Sequence, residues 1–333
     1  MYAVDEITPR LRECVLRLGL GSDILPPSRL TGGASQQTWR FVAKGAEGER
    51  PLILRLEGMR KRAEDGETGI ETEARLLRFV RPLGVPVPRI YHVLEPDEGL
   101  GRGYIMECVE GETLPKKIFQ REDFADARER LAGQCGEILA RIHQAPSAGL
   151  QFLRSSSAQE ELEREEAEYR RRGMRRPVFE LAFRWLRQRV PQRSAPPALV
   201  HGDFRNGNLM VDAQGLRAVL DWELAHLGDP MEDLGWLCVN SWRFGRSHLP
   251  VGGFGTREAL YAGYESQGLS VDREAAAYWE VFGTLRWGLI CQRMAEAFLT
   301  GADPTVERAA IGRRSSETEI DLLMLIDPRA RRN

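Results

Sequence analysis

A chain of 333 residues is long enough for two lobes that each bury a core of their own. Lys+Arg 47 against Asp+Glu 49 leaves a net charge of -2, so no global field draws nucleic acid or an anionic membrane, and small molecules are the expected partners. Five scattered cysteines, Cys14, Cys108, Cys135, Cys238 and Cys291, include no C-x-x-C pair and argue against a disulfide framework and a zinc site.

The start, MYAVDEITPRLREC, lacks a basic stretch followed by an apolar one, and no window reaches the ~18 apolar residues of a membrane span. A cytoplasmic protein is predicted. Leu11, Val15 and Leu18 share one face of a first helix. Leu30 to Phe41, with apolar ends around a Gly-Gly break, and Pro51 to Leu56, PLILRL, read as strands. A helix follows from about Gly69 to Phe79 and stops before Pro82, and Gly103 to Val109 is a further strand. After Glu110-Gly111 the pattern turns helical: Arg128 to Gln144 carries Leu131, Cys135, Ile138, Leu139 and Ile142 at helical spacing. Gln159 to Arg176 is nearly all charge, which a solvated helix face explains better than an acidic recognition surface. Leu234 to Leu325 reads as mostly helical, without an internal repeat.

The chemistry concentrates in His201 to Glu223, HGDFRNGNLMVDAQGLRAVLDWE. Two apolar runs around Asp212-Ala-Gln-Gly215 predict a hairpin, whose antiparallel return brings Asn208 and Asp221 to the same end. Asp203 precedes the first strand by a short loop. Magnesium takes few oxygen ligands and keeps room for water and phosphate, so Asn208 and Asp221 are its candidate ligands. Asp203, a second carboxylate near the metal, suits proton acceptance from an attacking hydroxyl. Downstream, Asp229-Pro230-Met231-Glu232 predicts a helix start with Asp229 as N-cap and Glu232 closing a capping box.

His201-Gly202-Asp203 with Asn208 resembles the H-x-D-x-x-x-x-N catalytic loop of protein kinases, with Gly where they carry Arg. That form is similar to the aminoglycoside phosphotransferase and choline kinase branch of the fold. Asp221-Trp222-Glu223 stands where those kinases carry D-F-G, and GDPMEDLGW resembles the G-D-P-x-x-D-L run of this branch. The resemblance implies that His201 props the loop. It implies a phosphate cover at Thr31 to Ser35, where Gly32, Gly33 and Ser35 would let backbone N–H groups approach phosphate. Arg55 stands at the position of the usual lysine, a departure shared with the kinase domain fused to certain acyl-CoA dehydrogenases. Glu73 is its implied partner, Lys44 the next cation should Arg55 not serve, and Glu107 lies on the strand whose backbone would read adenine.

These readings predict an α+β, protein kinase-like two-lobe fold. A small N-lobe, 1–107, has an antiparallel sheet and one main helix; 108–111 is a hinge, and 112–333 a larger helical C-lobe. The implied activity is ATP- and Mg2+-dependent phosphoryl transfer to a hydroxyl of a small molecule. An aminoglycoside or amino-alcohol would want acidic groups such as those of 160–168. A hydroxyacyl-CoA ester would want basic groups such as Arg286 and Arg293. The alternative is a pseudokinase that binds nucleotide without turnover.

Overall fold

The computed structural model describes residues 4–30, 36–58, 69–173, 175–192, 196–327 and 329. The chain forms two units: residues 1–111 with 217–225, and residues 112–216 with 226–333.

In the first unit, α1 (Val4–Arg17) leads into β1 (Asp23–Arg29), β2 (Gln36–Gly45) and β3 (Gly48–Glu57), then α2 (Ile70–Val80), β4 (Ile90–Val93) and β5 (Gly103–Glu107). The five strands make one antiparallel sheet in the order β1-β2-β3-β5-β4. Ile7, Leu11, Cys14 and Val15 recur every three or four residues along α1 and pack against Trp39, Phe41 and Leu54 of the sheet. β1 is an unexpected strand, because Pro26 and Pro27 cannot donate to a ladder. The sheet accepts it as an edge strand whose pairing with β2 skips between Leu25 and Ser28. Residues 217–225 join this unit through backbone and side chain: the Val219 N–H donates to the Pro86 carbonyl at 2.8 Å, and the Trp222 N–H to Glu73 at 3.3 Å.

The second unit begins with α3 (Pro115–Gln120), α4 (Ala125–His143), α5 (Ala158–Arg172) and α6 (Pro177–Arg187). Four short strands follow, β6 (Ala198–Val200), β7 (Leu209–Asp212), β8 (Gly215–Val219) and β9 (His226–Gly228); the chain passes back to the first unit within β8. The rest is helical: α7 (Met231–Cys238), α8 (Arg257–Glu265), α9 (Arg273–Leu299), α10 (Val306–Gly312) and α11 (Ser315–Ile326). α9 runs 27 residues and buries side chains around its whole circumference, as a helix central to a bundle must. Among the described residues, no helix is long and apolar enough to cross a membrane.

α4 and α8 approach so closely that their contact is backbone on backbone. A Cβ added at Gly136 would stand 2.1 Å from the Leu260 carbonyl oxygen and 2.6 Å from the Tyr264 nitrogen. Gly136→Ala is therefore expected to force the helices apart and destabilise the protein by about 1–3 kcal/mol, despite alanine's better helix propensity. Urea denaturation checks this, and an unchanged midpoint would refute the close crossing.

Candidate active site

The sequence-predicted residues fall into two groups, one in each unit. In the first, Thr38 on β2 and Tyr104 on β5 flank Arg55 in register, and β3 aims the guanidinium at α2 and at the returning segment. Arg55 Nη2 donates to Asp221 Oδ1 at 2.6 Å and lies 3.5 Å from Glu73 Oε1; its Nε donates to Gln36. Glu73 was the expected partner, yet the tighter pair is with Asp221, so one guanidinium is shared between two carboxylates. Burial alone would favour discharging Arg55, but Glu73, the neighbouring Tyr104 and Asp221 outweigh it and raise its pKa further. Glu73, 1 % exposed, is pushed up by burial despite Arg55. Asp221 has φ 66°, a left-handed conformation that aspartate tolerates better than most residues, and Trp222 behind it is fully buried with its indole N–H on the Val219 carbonyl.

Glu107 pairs with Leu52 three residues beyond the Arg55–Tyr104 pair, about 10 Å along the sheet. Its N–H donates to the Arg89 carbonyl, and its carboxylate accepts the Arg89 N–H at 3.0 Å. Gly32, Gly33 and Ser35 lie outside the described residues. Lys44 cannot stand in for Arg55. It pairs with Glu49 near the far end of the β2–β3 hairpin, six residues or roughly 20 Å from Thr38, Arg55's partner.

In the second unit, the loop after β6 holds Asp203 and Asn208 together. Asp203 Oδ1 accepts from Arg205 Nε and Trp236 Nε1, both at 2.8 Å, and Oδ2 accepts from Asn208 Nδ2 at 2.6 Å. Asn208 Nδ2 also donates to the Asp203 carbonyl at 3.0 Å. Both contacts use the amide nitrogen, so the amide oxygen, a hard ligand suited to magnesium, is the end turned from Asp203. His201 is fully buried and its Nδ1 accepts the Asp203 N–H at 3.1 Å, the expected propping contact.

Sequence reasoning missed what holds this loop. Asp233, fully buried on α7, accepts the Gly202 N–H on Oδ1 at 2.9 Å and the His201 N–H on Oδ2 at 2.8 Å. His143 on α4 bridges Asp233 (3.1 Å) and the Tyr264 hydroxyl (2.9 Å). Burial would raise the Asp233 carboxyl, but the hydrogen bond and charge of His143 and the charge and backbone N–H of His201 outweigh it and hold it below the ordinary carboxylate value. The D-L of GDPMEDLGW was its signal. Trp236 and Arg205 were missed as well, although Arg205 stands only two residues after Asp203.

Three expectations change. The capping box at α7 is not formed: Asp229 does accept the Met231 N–H at 3.1 Å, but the buried Glu232 turns to His226 and Arg286, each at 3.2 Å. A buried carboxylate gains more from a cation than from a single backbone N–H. Arg286 also pairs with Glu165, as does Arg293, so neither is a free basic group. The acidic run is likewise engaged. Glu161 is buried, where Arg286, Arg154 and Arg164 outweigh burial and hold its carboxyl at about 2, while Glu166 and Glu168 pair with arginines of α5 and α6.

The sequence profile of the phosphotransferase enzyme family matches residues 27–270, most of the chain and all of both groups. The chain belongs to that family. Mouse acyl-CoA dehydrogenase family member 10 is 31% identical over 183 residues, 51% of this chain and 16% of that protein. Mouse acyl-CoA dehydrogenase family member 11 is 26% identical over 238 residues, 66% of this chain and 29% of that protein. The chain thus spans less than a third of either relative. Among solved structures, a Ralstonia eutropha protein assigned provisionally to the aminoglycoside phosphotransferases superposes with TM-score 0.75 at 22% identity, over 96% of this chain and 98% of its own. A spectinomycin phosphotransferase solved with ADP and spectinomycin gives TM-score 0.61 at 15% identity, over 96% and 94%. At these identities the structures establish the fold, a kinase-like α+β architecture with an antiparallel N-terminal sheet and a helical remainder.

Proposed function

We propose that this phosphotransferase moves the γ-phosphoryl group of ATP to a hydroxyl of a small molecule. Asp203 accepts the hydroxyl proton, Asn208 and Asp221 hold magnesium, and Arg55 grips nucleotide phosphate, positioned by Glu73 and Asp221. The observation that carries this reading is the Asp203 carboxylate. Three N–H donors aim it, and only one of them sits on Oδ2, which leaves that oxygen room for a hydroxyl. The donor set suits the metal: one amide oxygen turned away from Asp203, and one carboxylate that already pairs with a cation. Magnesium, when bound, neutralises charge on the transferring phosphates. Gly32, Gly33 and Ser35 would cover the phosphates, and Glu107 marks the strand facing adenine.

For the acceptor, neither the α5 acids nor Arg286 and Arg293 select, since all are engaged within the protein. The names of the sequence relatives favour a hydroxyacyl-CoA ester over an aminoglycoside or amino-alcohol. Arg55 in place of lysine favours the second reading, a pseudokinase. Coupled ADP detection over these acceptor classes separates the two, since only an enzyme releases ADP with magnesium.

Asp221→Asn tests the metal assignment. Asparagine tolerates the left-handed conformation at φ 66° as well as aspartate does, so the backbone is retained while the charge is lost. The magnesium-dependent thermal shift given by ATP is expected to vanish. A shift as large as the parent's would move the metal elsewhere.

A further inference from the structure

Helix α1, strand β4 and the short 3₁₀ turn Pro96–Glu98 bring together three side chains that phosphoryl transfer does not use. Cys14, His92 and Glu98 each offer one ligand atom, and these atoms lie within 4.8 Å of one another. The Cys14 thiol donates to Glu98 Oε1 at 3.3 Å, and His92 Nε2 lies 2.9 and 3.1 Å from the two Glu98 oxygens. The Glu95 N–H, donated to Glu98 Oε2 at 2.7 Å, fixes the carboxylate. Cys14 is 2% exposed, the Glu98 side chain 3% and that of His92 18%, so the cluster is enclosed but open past the imidazole.

A thiolate, an imidazole and a carboxylate with a fourth position for water make a zinc donor set. With bonds of ~2.0–2.3 Å, neighbouring ligands of a tetrahedral zinc stand ~3.3–3.8 Å apart, so the side chains need only small adjustments. Charge permits the exchange. The Glu98 carboxylate is paired with Arg17, whose side chain is half exposed, and with a protonated thiol that pair sums to zero. Zinc on a thiolate, the carboxylate and a neutral imidazole also sums to zero. The thiol proton leaves to solvent, Arg17 swings out, and the His92 proton moves to Nδ1. Neither arrangement buries a net charge.

We propose that Cys14, His92 and Glu98 form a zinc-binding site that staples α1 to β4, the edge strand opposite β1. The ligands come from positions far apart in sequence, so no motif spacing announces them.

Cobalt(II) titration of the full chain, with zinc as competitor, tests the site. One equivalent is expected to give a thiolate-to-cobalt charge-transfer band that zinc removes. Cys14→Ser should abolish the band, and Glu98→Gln and His92→Ala should weaken binding at least about tenfold. Arg17→Ala should tighten it, because a competing cation is gone; a purely hydrogen-bonded cluster predicts no such gain. This variant changes an exposed side chain and remains informative should Cys14→Ser fail to fold. No band in the parent, a band retained by Cys14→Ser, or weaker binding by Arg17→Ala would each overturn the proposal.

Discussion

Replacing Asp203 with asparagine is expected to slow phosphoryl transfer by about 10²- to 10⁴-fold, the usual contribution of a positioned general base. That corresponds to roughly 2.7–5.4 kcal/mol of transition-state stabilisation. The hydrogen bonds around the carboxylate sharpen the expectation. Arg205 and Trp236 both donate to Oδ1, so an asparagine must keep its oxygen there and turn its NH2 toward Asn208. Asn208 now donates in that place, and two NH2 groups cannot share it; flipping the Asn208 amide would set its oxygen against the Asp203 carbonyl that its NH2 now serves, so the Asn208 side chain is disturbed either way. Asp203→Asn should therefore lose turnover and some magnesium-dependent ATP affinity. Asp203→Ala leaves Asn208 free to keep its orientation and should lose turnover with affinity near the parent's. Single-turnover assays and calorimetric Mg-ATP titrations of both variants check this. Parental rates in Asp203→Ala would remove the base assignment, and lost binding in that variant would make Asp203 a metal ligand or structural support.

The largest expected effect on stability is at Asp233. Truncation to alanine strips the acceptor from the His201 and Gly202 N–H groups and from His143, all buried. Breaking a buried charged contact of this kind costs about 3–5 kcal/mol, a large share of the ~5–15 kcal/mol that holds a typical domain. Denaturant unfolding of Asp233→Ala should show that loss. Turnover should fall too, because the backbone that aims Asp203 is no longer fixed. The pH dependence follows from the lowered native carboxyl. Its contribution is fully present above the unfolded value of ~3.9 and is lost as pH falls through the lower native value. Asp233→Ala should lack that part of the parent's acid destabilisation. A variant with parental stability would show that the loop is held by other contacts.

What was legible in the sequence was local or periodic. The spacing from His201 to Asp221 marked the candidate catalytic loop and the hairpin, because a short loop and a tight turn constrain side chains without help from the rest of the chain. The α1 and α4 stripes were legible because helical burial repeats every three to four residues. β1 was not, since Pro26 and Pro27 read as a break and only an edge position with a skipped register accommodates them. Partner choice was also hidden. Glu232 had a local cap available and took Arg286, 54 residues away; Arg55 had Glu73 and drew closer to Asp221, 166 residues away. Lys44, by sequence the next cation should Arg55 not serve, is set by the register near the far end of the hairpin. The sequence by itself determined which chemical groups the protein carries and the short-range order in which they come. Which carboxylate meets which cation was decided only by the tertiary structure, because ion pairs and buried hydrogen bonds depend on distances of a few ångströms that long-range packing sets.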